Sequence, residues 1–173
     1  LRMYRARKLQ PFESWRIHEV TRELSVKAGL ELVPDLYYIP SRVMNAFSVG
    51  SPSRAAIALT DGILRSLNWR DLTGVLAHEV SHIAHNDLKI MGLADTLSRF
   101  THLLSHAGIF MLVLYLPFII LTGRTFSLTA ILILTFAPTL SLFLQLALSR
   151  TREYDADLNA VKLTGDPAGL ASA

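Results

Sequence analysis

Residues 78–82 read His-Glu-Val-Ser-His, a spacing that can do chemistry. On a helix turning about 100° per residue, positions four apart lie about 40° from each other, so His78 and His82 face one way. Two neutral imidazole nitrogens on one face can hold one zinc ion. Glu79 lies on the flank of that face, within reach of a water on the metal but off the ligand positions. Zinc lowers the pKa of its water to about 7, and a carboxylate beside it can take the proton as the water attacks a peptide carbonyl. The pattern therefore points to hydrolysis of peptide bonds, with Glu79 as the base that later returns its proton to the leaving amine.

A third ligand must come from elsewhere in the chain. Residues 149–157 read Ser-Arg-Thr-Arg-Glu-Tyr-Asp-Ala-Asp. On a helix, Glu153 and Asp157 share a face. Glu153 completes a His-His-Glu set and leaves the fourth position for water. Asp157, one turn on, can accept a hydrogen bond from the far nitrogen of a ligand histidine and fix its tautomer. Asp155 reads as a solvated acid. The implied cofactor is one Zn²⁺ per chain. The chain has no cysteine, which excludes disulfides and thiolate zinc sites. His85 falls on the same helical face as His78 and His82. Three histidines at this spacing on one straight helix would not easily share a zinc with Glu153, so His85 reads as a structural or rim residue.

Two features read as substrate contacts. Asn45 offers an amide to a substrate backbone or to a developing oxyanion; its alternative is a turn-forming asparagine. Residues 55–59 read as an exposed edge strand along the zinc cleft. There Ala55, Ala56, Ile57 and Ala58 could bind an extended peptide through backbone hydrogen bonds. The alternative is an ordinary edge strand.

The elements that must position these residues are legible. Leu72, Val75, Leu76 and Val80 follow helical spacing, with Asn68 as N-cap and Asp71 in the first turn. Residues 11–28 read as an amphipathic helix with Pro11 near its start and Gly29 as its C-cap. Short strands are expected at 36–39, 47–49 and 55–59, the last two joined by Gly50-Ser51-Pro52-Ser53. The expected fold class is α+β, a mainly helical zincin domain with a small sheet packed on the active-site helix.

Two long runs, residues 100–123 and 125–149, contain no Asp, Glu, Lys or Arg. A bilayer-spanning helix needs about 20 mostly apolar residues, so the runs read as a transmembrane helical hairpin reversing at residues 122–125. The first span is expected to continue the active-site helix through residues 87–94. Both ends of such a hairpin emerge on one side, where His78, His82 and Glu153 can meet. Arg99, Arg150 and Arg152 flank that side against Arg124 in the loop, which puts the catalytic side in the cytoplasm. The domain organisation expected is 1–99 for the first part of the peptidase domain, 100–149 for the hairpin and 150–173 for the third-ligand helix.

His-Glu-Val-Ser-His, followed by the Ser-Arg-Thr-Arg-Glu-Tyr-Asp-Ala-Asp run, resembles the M48 metallopeptidases. Residues 45–50, Asn-Ala-Phe-Ser-Val-Gly, resemble that family's N-A-F segment, and residues 55–64 its edge strand and following helix. The absence of a long insert between Ile63 and His78 is similar to the HtpX-like branch rather than the Ste24-related one, while residues 158–161 leave the subfamily open. The resemblance implies a gluzincin-type membrane protease of a bacterial-type inner membrane. It also implies protein or peptide substrates, misfolded membrane proteins among them. It further implies that the chain is a fragment, with candidate oxyanion-stabilising groups beyond Ala173.

Composition agrees. The 173 residues are 51% hydrophobic with a mean hydropathy of +0.36, and the net charge of +3 is too mild and scattered for a nucleic-acid partner. Arg2, Arg5, Arg7 and Lys8 could meet lipid headgroups or form a solvated end. Two other classes stay open: a zinc-bearing membrane adaptor or chaperone, against which the intact Glu79 argues, and a membrane scaffold with a fortuitous motif.

Overall fold

The computed structural model describes residues 5–123 and 127–172. Arg2 of the basic cluster and Arg124 and Thr125 of the expected reversal lie outside them. The chain forms two compact units, one of residues up to Lys89 together with those from Thr151 onward, the other Ile90–Arg150.

In the first unit, strands β1 (Arg7–Lys8), β2 (Asp35–Ile39), β3 (Ala46–Ser51) and β4 (Arg54–Thr60) form one sheet in the order β1-β2-β4-β3. β2 and β4 run parallel, and the other two pairings are antiparallel. The β3–β4 hairpin turns at Pro52 and Ser53, and just before the turn the paired residue Gly50 has a φ of +104° and no room for a Cβ, which would run into the Arg54 carbonyl oxygen. Only glycine fits there.

This order corrects one expectation. β4 is not an edge strand. It is hydrogen-bonded to β2 on one side and β3 on the other, and Ile57, Ala58 and Leu59 are fully buried. Its backbone groups are taken, so Ala55, Ala56, Ile57 and Ala58 cannot add a substrate strand. A continuous apolar run, rather than alternation, is what a strand covered on both faces requires.

Helix α1 spans Trp15–Lys27 and packs through Ile17, Thr21, Leu24 and Ser25. It begins later than expected. Residues 11–13 form a turn instead, in which the Glu13 carboxylate accepts from the Gln10 amide at 2.9 Å and pairs with Arg7. After β4 comes the short helix α2 (Asp61–Ser66), capped by the Thr60 hydroxyl.

Helix α3 (Trp69–Ala84) carries the His-Glu-Val-Ser-His run. The Asn68 side chain caps it as expected, accepting from the Asp71 amide at 3.0 Å and donating to the Asp71 carboxylate at 2.7 Å. Its apolar face, Leu72, Leu76, Val80 and Ile83, packs in the core with Leu24, Leu36, Ile57 and Leu59. α3 does not run on into the next helix. His85 caps it, Asn86 turns left-handed at φ +57°, and helix α4 (Asp87–Thr122) starts anew. Asparagine tolerates that conformation where most residues do not.

Helix α5 (Leu128–Thr164) returns to the first unit after Arg150 and buries Ala156 and Ala160 there. The short helix α6 (Pro167–Ser172) packs on α3. At Gly74 a Cβ would meet the Leu170 Cα at 3.1 Å, so the two backbones nearly touch. Arg70 pairs with Asp166, and the Ser172 hydroxyl donates to Asp71 at 2.7 Å.

The second unit consists of the apolar stretches of α4 and α5. They touch where the Ser98 and Ser141 hydroxyls meet at 2.9 Å and where Gly108 lies under Leu134. Both helices are long and apolar enough to cross a membrane, and their apolar windows are almost wholly uncovered by protein. Thr101, Thr122 and Thr135 each turn the hydroxyl onto the carbonyl four residues earlier, at 2.8–3.0 Å. That arrangement gives each hydroxyl an acceptor within its own helix.

Candidate metal centre

One turn of α3 separates His78 from His82, and their rings stand at 84° with centroids 4.6 Å apart. The two Nε2 atoms are 3.0 Å apart. Glu153, from α5, brings Oε2 to 3.4 Å from His78 Nε2 and 3.8 Å from His82 Nε2. Tetrahedral coordination with bonds of about 2.0–2.1 Å places ligand atoms roughly 3.3 Å apart. The three separations bracket that value.

The outer nitrogens explain why these atoms face each other. His78 Nδ1 lies 2.8 Å from Asp157 Oδ1, and His82 Nδ1 lies 3.0 Å from Asp87 Oδ2. A carboxylate beside each Nδ1 favours the hydrogen there, and a neutral ring so held would turn its Nε2 lone pair inward. Two such nitrogens and a carboxylate oxygen this close make a donor set suited to a cation. The residues fit a divalent metal, and His78, His82 and Glu153 are the ones that would hold it. Glu79 follows His78 on α3, is only 8% exposed, and is not one of the three.

The cluster unites His78, His82, Glu153 and, through its hydrogen bond, Asp157. His85 stays outside it. Its Nδ1 donates to the Ser81 carbonyl at 2.8 Å and its other face lies toward Asn159. Asn45 has an exposed side chain, and its backbone is pinned to Thr60 by bonds of 2.8–3.1 Å at the start of β3. β3, which packs against α3, has no strand on its outer side among the described residues. Beside His78 and Asp157 a cleft of about 350 Å³ opens, lined otherwise by Val75, Pro167, Leu170 and Ala171.

The sequence reading missed Asp87. Had α3 continued unbroken, a residue five places beyond His82 would lie about 140° around the helix, facing away. The break at Asn86 brings its carboxylate back. The available signal was an asparagine followed by an acid, a helix stop and restart inside an apparently continuous pattern.

The chain matches the profile of peptidase family M48 over residues 11–173. It is 38% identical to a protein named Protease HtpX homolog from Kineococcus radiotolerans, 37% to one from Paraburkholderia phytofirmans and 34% to one from Methylibium petroleiphilum. Each alignment covers all of this chain and 59–60% of the relative, so the chain spans about three-fifths of those proteins.

Proposed function

Since the chain belongs to peptidase family M48, we propose that it forms the metal-binding part of a membrane-bound zinc metalloendopeptidase. The single observation that carries this reading is the His78–His82–Glu153 cluster, with both histidines turned inward by carboxylates on their outer nitrogens. The bound metal would supply Lewis-acid polarisation of the substrate carbonyl and a more acidic water. Glu79 takes the proton of the attacking water and delivers it to the departing amine. Asp157 keeps the His78 ring oriented.

An extended substrate adds to the outer edge of β3 by backbone hydrogen bonds, which hold a scissile bond without demanding much sequence. Asn45 stands at the start of that strand and serves substrate or oxyanion. The cleft beside His78 accepts an apolar substrate side chain. The long helices α4 and α5 anchor the enzyme as a transmembrane hairpin with the catalytic side in the cytoplasm, and misfolded membrane proteins are the substrates such a placement suits.

Glu79→Gln separates chemistry from metal binding, since it keeps the shape and removes the proton acceptor. In detergent-purified protein we expect zinc to remain stoichiometric while casein cleavage falls by about 10²-fold or more. Undiminished cleavage would remove Glu79 as the base.

A further inference from the structure

We infer that Asp87 is the positioning residue for the ligand His82, and that Arg152 holds Asp87 in place, so the helix carrying the third ligand also sets the second. The inference rests on the metal reading of His78, His82 and Glu153.

The two ligand histidines are oriented by carboxylates in very different surroundings. The Asp157 side chain is 57% exposed, that of Asp87 only 4%. A carboxylate taken out of water is costly unless it is paired and hydrogen-bonded. Asp87 has three compensations. Its Oδ2 accepts from His82 Nδ1 at 3.0 Å. Its Oδ1 lies 3.5 Å from Arg152 Nη1. It also occupies the first turn of α4, where the helix dipole favours negative charge. Removing any one of these leaves a buried acid less well compensated.

A plain helix-start acid would not look like this. Asp87 is the first residue of α4, and the i to i+3 turn there is closed by the Asn86 carbonyl accepting from the Lys89 amide at 3.1 Å. The Asp87 carboxylate reaches back across the break to the ring of His82 instead. The left-handed Asn86 makes that reversal possible. Arg152 then ties the arrangement to the ligand helix, because it immediately precedes Glu153 on α5. One guanidinium thus forms an ion pair, without a hydrogen bond, with the carboxylate beside His82, while its neighbour in sequence would supply the third ligand atom.

The test measures metal rather than turnover. Zinc affinity is determined by chelator competition on the detergent-purified protein, and the visible absorption of its cobalt-substituted form reports ligand geometry. We expect Asp87→Ala to weaken zinc by about 10- to 100-fold and to alter the cobalt spectrum. Asp87→Asn, whose amide oxygen still accepts from Nδ1–H, should lose less and keep a spectrum closer to wild type. Arg152→Gln should weaken zinc clearly in the wild-type background and much less in the Asp87→Asn background, because its effect passes through the carboxylate. Wild-type affinity and spectrum in Asp87→Ala would overturn the inference. Should Asp87→Ala fail to fold, Asp87→Asn decides, and unchanged affinity there overturns it equally. A wild-type protein without stoichiometric zinc would sink the metal reading itself, whereas normal wild-type zinc with no loss in the variants sinks this inference alone.

Discussion

In the proposed centre each ligand histidine would use one nitrogen for the metal and the other for a carboxylate, so the acids would act on affinity without touching the ion. Asp157 tests this at His78, where the hydrogen bond is 2.8 Å. Asp157→Ala should weaken zinc by about 10- to 100-fold through lost orientation. In a His78→Ala background the same change should cost little more, since it acts only through that ring. Additive losses in the titrations would make Asp157 a surface acid. The contrast between Asp157 and Asp87 also shows how far residues can be read from sequence. That His78 and His82 share one face, and Glu153 and Asp157 another, was legible because each pair lies within a single helix, where angle follows from number. Asp87 was not, because its direction depends on one left-handed residue that periodicity does not register.

At the scale of elements, α3 is held between the sheet and α6. The Arg70–Asp166 pair joins the start of α3 to the residue before α6, and the Gly169 amide also donates to Asp166 at 3.1 Å. The Arg70 guanidinium, first, and then this amide hold the Asp166 carboxyl down at about 2. A folded-state value below the unfolded one means the contribution is fully present above the ordinary carboxylate range. It fades as the pH falls from about 4 toward 2. The wild type should therefore lose thermal stability more steeply across that window than Asp166→Asn. Equal slopes would show that the pair contributes nothing to the α3–α6 contact. Local signals predicted α3, its Asn68 cap and the three longer strands, because these are set by neighbours in sequence; the β3–β4 connection is shorter than expected, since Gly50 and Ser51 pair within the hairpin. The position of β4 within the sheet was misread, because edge or centre is decided by which distant strand pairs with it. The run Ala-Ala-Ile-Ala-Leu reports that both faces of β4 are covered, and does not report which strands flank it.

For the whole molecule the open matter is how α4 and α5 sit with respect to a bilayer. α4 has 36 residues and α5 has 37. At about 1.5 Å per residue each exceeds the roughly 30 Å hydrocarbon core, so part of each helix must project beyond it. In each helix the charged residues gather toward one end, within 87–99 of α4 and 150–162 of α5, which is the end suited to project. In the proposed hairpin two crossings would return the chain to the side on which it started, and by the positive-inside rule Arg99, Arg150 and Arg152 would favour the cytoplasm for that side. The absence of cysteine makes single reporters unambiguous. Ser53→Cys lies in the exposed β3–β4 turn and Ser127→Cys just before α5, exposed as well. A membrane-impermeant maleimide applied to intact cells should label Ser127→Cys and spare Ser53→Cys, and inside-out vesicles should reverse the pattern. Labelling of both from one side would exclude a hairpin that crosses twice. Labelling of Ser53→Cys alone from outside would keep the hairpin and invert it, placing the catalytic residues on the opposite face of the membrane.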